Sequence, residues 1–216
     1  MTNMSQAAQS TSRLRIRVFI DYWNLQLTLN DRESEATGQD DVRFLVRWKD
    51  FPGLVAGKAA ELLGVSEFSY EGAIIYSSYN PRADPRFKNF LSNWLDRQPG
   101  IQVVALERQP KAPPKCPACH QMIGTCPKCN NRIEATVEKG VDTAIATDMI
   151  RLAWEDAYDV AIVVSSDGDL VPAVKFLDQK GRKVIQAGFP PSGVQLATSC
   201  WASFDLFALR EEFRRV

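Results

Sequence analysis

The stretch from Asp159 to Ser165 carries Val160, Ile162, Val163 and Val164 with hardly a polar interruption, as a strand buried on both faces of a parallel sheet requires. Such a strand needs helices on both sides, and the neighbouring sequence supplies them. Val141, Ile145, Met149 and Leu152 lie on one face of a helix over residues 141–154, and residues 170–180 give another, closed by Gly181. Upstream, a β-rich run over 14–20 ends at Asp21, and a helix starts over 24–30. A polar loop follows over 31–41, then a helix over 51–63 with Pro52 in its first turn and Gly64 after its end. Residues 68–76 read as a second strand. Phe87, Phe90, Leu91, Trp94 and Leu95 then form one apolar helical stripe that stops near Pro99-Gly100. Further strands are expected over 101–106 and 183–187, with one or two helices over 194–216. The alternation predicts an α/β fold, a doubly wound parallel sheet flanked by helices. No internal repeat is read.

A chain of 216 residues with 45% hydrophobic residues suits one domain with an insertion, spanning 14–216. The first dozen residues hold no apolar run, which excludes a secretory signal, and residues 1–13 are expected to be a disordered tail. No segment approaches the roughly 18 apolar residues that span a bilayer. A soluble, cytoplasmic protein without a membrane partner is therefore expected. Lys plus Arg and Asp plus Glu are equal at 26 each, so binding to a polyanion must rest on a local patch.

In a doubly wound sheet, ligands bind where the strands end, and acids collect there. Asp21 and Asn24 follow the first strand. Asp167 and Asp169 follow the run ending at Ser165, and Asp142 opens the helix that leads into it. Asp148 lies about 120° further around that helix, at the site edge or toward solvent. Taken singly, Asp142, Asp169 and Asn24 would each serve as helix caps, and only their joint placement suggests chemistry. Clustered acids raise one another's pKa unless a cation compensates them, and Mg²⁺ or Mn²⁺ suits carboxylate and water ligands. Such an ion would activate a water for attack at phosphorus. His120, the single histidine, lies among cysteines instead, so a Ser-His-Asp or Cys-His mechanism is not expected.

These residues stand in a pattern. Phe19-Ile20-Asp21-Tyr22-Trp23-Asn24-Leu25, then Lys139-Gly140-Val141-Asp142 with Asp148, then Ser165-Ser166-Asp167-Gly168-Asp169-Leu170-Val171-Pro172 resemble, in order, the three motifs of the NYN domain family, especially its LabA-like branch. The resemblance covers about residues 14 to 190. It implies a PIN-like nuclease fold, a Mg²⁺ or Mn²⁺ site and hydrolysis of phosphodiester bonds by an endoribonuclease. Asp21, Asp142, Asp167 and Asp169 would then be metal ligands or water-orienting groups, with Asn24 supporting them and Asp148 a secondary acid. Relatives often pair, so a homodimer is carried as an expectation. Ser166 departs from the glycine frequent in the family. Tyr22 and Trp23 add bulk beside Asp21 that bears on substrate choice, with Trp23 read as core ahead of base stacking.

Cys116, Cys119, Cys126 and Cys129 form two CxxC pairs six residues apart, a pattern that fits one structural Cys₄ Zn²⁺ site in a compact module inserted over 108–138. His120 is expected to face solvent, and Cys200 to be buried as a small hydrophobe. Arg108, Lys111, Lys115, Lys128 and Arg132 accompany the cysteines with no acid between the first and the last, a basic arm suited to nucleic acid, RNA ahead of DNA. Two other readings fit the same residues: a catalytically silent binding or scaffold module, and a phosphohydrolase acting on small molecules.

Overall fold

The computed structural model describes residues 13–81 and 83–215; the expected tail over 1–13 lies, save Arg13, outside them. The chain runs β1 (Leu14–Asp21), α1 (Tyr22–Thr37), α2 (Phe51–Leu62), β2 (Phe68–Tyr79), α3 (Pro85–Asn89), a π-helical turn (Phe90–Leu95) and β3 (Ile101–Glu107). A short hairpin of β4 (Gln109–Lys111) and β5 (Ala135–Val137) brackets the cysteine segment. Then come α4 (Val141–Trp154), β6 (Val160–Val164), a 3₁₀ turn (Gly168–Leu170), α5 (Val171–Gln179), β7 (Lys183–Gly188), α6 (Val194–Ser199), β8 (Ala202–Asp205), a second 3₁₀ turn (Phe207–Leu209) and α7 (Arg210–Phe213).

Six strands make one sheet in the order β3-β2-β1-β6-β7-β8, and every pairing in it is parallel. Winding proceeds outward from β1 to β3, then crosses back to β6 and runs outward the other way. The direction therefore reverses between β1 and β6, where an open α/β sheet leaves a crevice at its carboxyl edge. Alternate residues of the central strands feed two cores. Ile16, Val18, Ile20, Ile162 and Val164 pack with α1, α2, Leu91 and Phe213, while Phe19, Ala161 and Val163 pack with α4, α5 and Leu196. All five residues of β6 are buried, as its unbroken apolar run requires.

Two expected elements are corrected. The polar segment over 31–41 continues α1 through Thr37, because Arg32, Glu33, Glu35 and Ala36 favour helix and Glu33 is buried under a charge clamp. Its Oε1 accepts from Arg214 at 2.7 Å, and Arg210 lies 3.5 Å from its other oxygen. Gly38 ends the helix in a left-handed conformation, its N–H donating to Ser34 O at 2.9 Å. Beyond α6, where only helices were expected, Ala202–Asp205 instead adds β8 beside β7, a four-residue strand too short for its alternation to be read in isolation. Asp84 caps α3 by accepting from Phe87 N at 2.9 Å. Asp84→Ala is expected to cost about 1 kcal/mol and lower the melting temperature by roughly 2–4 °C, measurable by thermal unfolding.

The cysteine segment is a tandem repeat of ten residues, which corrects the reading of none. Cys116 N donates to Gln121 O, His120 N to Cys116 O and Ile123 N to Pro114 O; ten residues on, Cys126, Asn130 and Ile133 donate to Asn131, Cys126 and Gly124 in the same pattern. His120 and Asn130 both adopt positive φ, at 58° and 55°. The identity is carried by backbone turns with few shared side chains beyond the cysteines and Ile123/Ile133, so it is faint at the level of letters.

Candidate active site

Asp21 ends β1 and is 6% exposed. Its Oδ1 accepts from the backbone N–H of Asn24 at 3.1 Å, which makes it the N-cap of α1. Asn24 reaches across the switch point: its Oδ1 accepts from Ser166 N at 2.9 Å and ties the start of α1 to the loop after β6. In that loop Ser165 Oγ accepts from Asp167 N at 3.1 Å, and Asp167 Oδ1 accepts from Asp169 N at 2.8 Å. Asp167, not Asp169, is therefore the cap of the turn that enters α5. The loop is backed by Gln186, whose Nε2 donates to Ser165 O at 2.9 Å, and by Gly193, which approaches so closely that a Cβ there would stand 2.8 Å from Ser166 Cα. Gly140 takes the left-handed conformation at the N-cap of α4, and Asp142 falls in that helix's first turn without capping it.

Asp142, Asp167 and Asp169 come together here. Each offers an oxygen within 4.8 Å of the others, the one such group of three or more acids, cysteines or histidines among the described residues. Asp21 lies beside them. Burial, reinforced by the charges of Asp142, Glu138 and Asp167, pushes its carboxyl up to about 6 despite the Asn24 hydrogen bond. Burial and the charges of Asp167, Glu138 and Asp169 push Asp142 upward too. Three converging oxygens with a fourth acid behind them have the donor chemistry a hard divalent cation satisfies.

Glu138 belongs to this group and escaped the sequence reading. It precedes the Lys139-Gly140-Val141-Asp142 motif, accepts a hydrogen bond from Ser78 Oγ at the end of β2, and lies 3.6 Å from Arg108. Its only sequence signal is its place beside a motif read for a different acid. Asp148 is held apart: it accepts from Tyr76 Oη at 2.9 Å and pairs with Arg151 at 3.0 Å. Trp23 donates from Nε1 to Ser78 O at 2.7 Å and packs against Phe87, half-buried as core filling beside the site.

The basic residues divide. Arg108 joins the site, its Nε donating to Ser78 Oγ at 2.9 Å and its guanidinium 5.6 Å over the Trp23 ring. Lys111, Lys115 and Lys128 are exposed, and Arg132 pairs on the surface with Glu134 at 3.4 Å, an acid just beyond the interval counted from sequence. The thiols meet two by two. Backbone N–H groups of residues 118–119 and 128–129, with the second cysteine of each pair, hold Cys116 and Cys126 below the usual thiol range. Cys200 packs half-buried against the α4/α5 core, its thiol pushed up to about 12 by burial. His120 is exposed. No helix among the described residues is long and apolar enough to cross a membrane.

Residues 15–205 match the NYN domain. Among solved structures the chain is similar to a protein of unknown function from Vibrio parahaemolyticus, at 19% identity over 96% of this chain and 99% of that one, with a TM-score of 0.55. That likeness concerns the fold alone. No curated protein matches the chain.

Proposed function

The chain belongs to the NYN domain family, whose members are generally nucleases, and on that premise we propose that it is a Mg²⁺- or Mn²⁺-dependent endoribonuclease of the LabA-like branch. The observation that carries the reading is the convergence of Asp142, Asp167 and Asp169 within 4.8 Å at the switch point, with buried Asp21 beside them. Asp21, Asp142, Asp167 and Asp169 would hold the cation, which when bound supplies a polarised water and neutralises phosphate charge. The chain's own groups do the positioning. Asn24 locks the Ser166 loop so that Asp167 and Asp169 face Asp142, and Gly140 turns the chain so that Asp142 enters from α4. Glu138 and Ser78 hold Arg108 at the rim, where its guanidinium would meet a phosphate oxygen. Asp148, tied to Tyr76 and Arg151, would act only as a secondary acid through α4.

Residues 108–138 are proposed as a module of their own, with Cys116, Cys119, Cys126 and Cys129 closing on one structural Zn²⁺. Two matching knuckles, and backbone N–H groups that hold the Cys116 and Cys126 thiols below the usual range, support this. Lys111, Lys115 and Lys128 would then line the backbone of a bound strand, Arg132 after leaving Glu134, and pairing of two copies would set two such arms side by side. The preference for RNA and a cytoplasmic site of action follow from the family resemblance and the CxxC pairs. Purified protein is expected to release about one equivalent of zinc on treatment with a mercurial and chromogenic chelator, and a Cys116→Ser/Cys119→Ser variant less than half as much. Zinc content unchanged by that substitution counts against the module.

Cleavage of labelled single-stranded RNA and DNA with added Mn²⁺ or Mg²⁺, with and without chelator, tests the central reading. Metal-dependent cutting of RNA ahead of DNA is the expected result. Binding without cutting by the wild type would instead favour the silent binding module, and cutting of small phosphoesters alone the phosphohydrolase.

A further inference from the structure

Two cavities share Tyr22, the residue after Asp21, in their linings. Their charge separates them. One, of about 420 Å³, is lined by Asp31, Asp41 and Asp84 against a single arginine and would repel a phosphate. The other, of about 340 Å³, has Tyr22, Trp48, Phe90 and Trp94 on its walls and Arg43 and Arg215 as its charged groups, with no acid.

The second cavity has the makings of a base pocket. Tyr22 and Trp48, both buried, stack on each other at 5.6 Å and 16° among its lining, and Phe90 and Trp94 stack at 5.4 Å and 18° with Trp94 exposed, so Trp94 offers the accessible aromatic face to a space of a size that admits a small planar ligand. Arg43 lines the cavity beside Tyr22, close enough for its charge to act on the Tyr22 hydroxyl. Trp94, 38% exposed, stands on the π-helical turn, whose wider backbone bond from Asp96 N to Leu91 O keeps Leu91 and Leu95 in the core while Phe90 and Trp94 stack outside. The cavity is also connected to the site. Trp23, against Arg108, packs on Phe87 at 4.9 Å, and Phe87 stacks on Phe90 at 6.1 Å, an aromatic row leading from the rim of the carboxylates to the pocket.

We infer that the cavity between Tyr22, Trp48, Phe90 and Trp94 receives an unpaired base of a single-stranded nucleic acid, with Arg43 and Arg215 on the adjoining phosphates, while the strand crosses the carboxylate cluster. Aromatic faces take up bases that are free of a duplex, and the arginines add stacking and charge. A duplex keeps its bases paired and has none to insert. The inference deepens the nuclease reading and rests on it for the direction of the strand.

The test is direct binding by the full chain carrying Asp167→Asn, so that nothing is cut, with Mg²⁺ present. A fluorescein-labelled single-stranded RNA of about twelve nucleotides and a blunt duplex of the same sequence are titrated by anisotropy, with Trp94→Ala or the paired Arg43→Gln/Arg215→Gln added. Each change is expected to raise the Kd for the single strand about tenfold, the lower part of what a stacked base contributes, and to leave duplex affinity unchanged. Both are surface substitutions, and a matched melting temperature certifies the fold. Single-strand affinity indifferent to both variants overturns the inference, as does equal loss for the duplex. So does a Trp94→Ala change that alters only the protein's oligomeric state, which would put a second copy of the chain in the cavity. If wild-type protein cuts nothing yet the single strand binds in this Trp94-dependent way, the pocket stands and the nuclease reading alone falls.

Discussion

Asp167→Asn is expected to lower kcat for phosphodiester cleavage by at least about a thousandfold in Mn²⁺ or Mg²⁺, while leaving the melting temperature within about 2 °C of wild type. The two halves of that expectation come from different atoms. If the three carboxylates within 4.8 Å hold the proposed cation, removing one charge would take away a ligand and part of the field around it, a loss of several kcal/mol of transition-state stabilisation. The other role of Asp167, accepting from Asp169 N to start the turn into α5, is kept by the Asn Oδ1, since Asn caps as well as Asp. The variant thus separates charge from scaffold. Steady-state cleavage of labelled RNA measures the first and thermal unfolding the second. Loss of activity together with several degrees of stability would mean that the loop had collapsed, and wild-type activity in the variant would move the reaction away from these acids.

In chelator, the same cluster makes the folded protein less stable at pH 7 than at pH 4.5. The Asp21 carboxyl rises from 3.8 to about 6 on folding, so the native state prefers it protonated. Its contribution is fully present below pH 3.8 and is lost as pH rises through about 6, a swing of about 3 kcal/mol. Asp142 shifts in the same direction. Asp156 and Asp159 work oppositely: held low by Arg182 and Arg15, they contribute stability above pH 3.8 that disappears in acid. The comparison is therefore made between pH 4.5 and 7, where the raised pair dominates. Asp21→Asn retains the acceptor for Asn24 N, discards the charge, and should raise the melting temperature in chelator at pH 7 by roughly 6–12 °C. Added Mn²⁺ should stabilise wild type well above this variant's response, because the cation supplies to Asp21 the compensation that the substitution makes unnecessary. An Asp21→Asn protein no more stable than wild type in chelator would show that burial beside these acids does not penalise the charged Asp21.

Much of this architecture was legible because its signals are local and redundant. The apolar run of β6 admits one environment, the stripe of α4 fixes its face, and helices alternating with such strands leave few topologies. Other elements rest on signals that polarity hides or that lie elsewhere in the chain. Residues 31–37 are polar enough to resemble a loop, yet Arg32, Glu33, Glu35 and Ala36 favour helix, and Arg210 and Arg214, from the far end of the chain, close on Glu33. Ala202–Asp205 is strand because β7 offers an open edge. The stripe over 87–95 was found, yet its π-helical turn was not, since no side chain announces a bond of longer span.

For the candidate site, the sequence by itself determined which acids stand at strand ends, because a parallel sheet of this kind sends every strand's carboxyl end to one edge. Only the folded chain decided which of them meet. Asp142, Asp167 and Asp169 converge while Asp148, on the same helix as Asp142, is drawn to Tyr76 and Arg151, and Glu138 joins through Ser78 and Arg108. Those choices depend on angles around α4 and on partners tens of residues distant. A one-dimensional pattern records the spacing of charges along the chain, whereas the distance between two carboxylates is set by the elements that carry them.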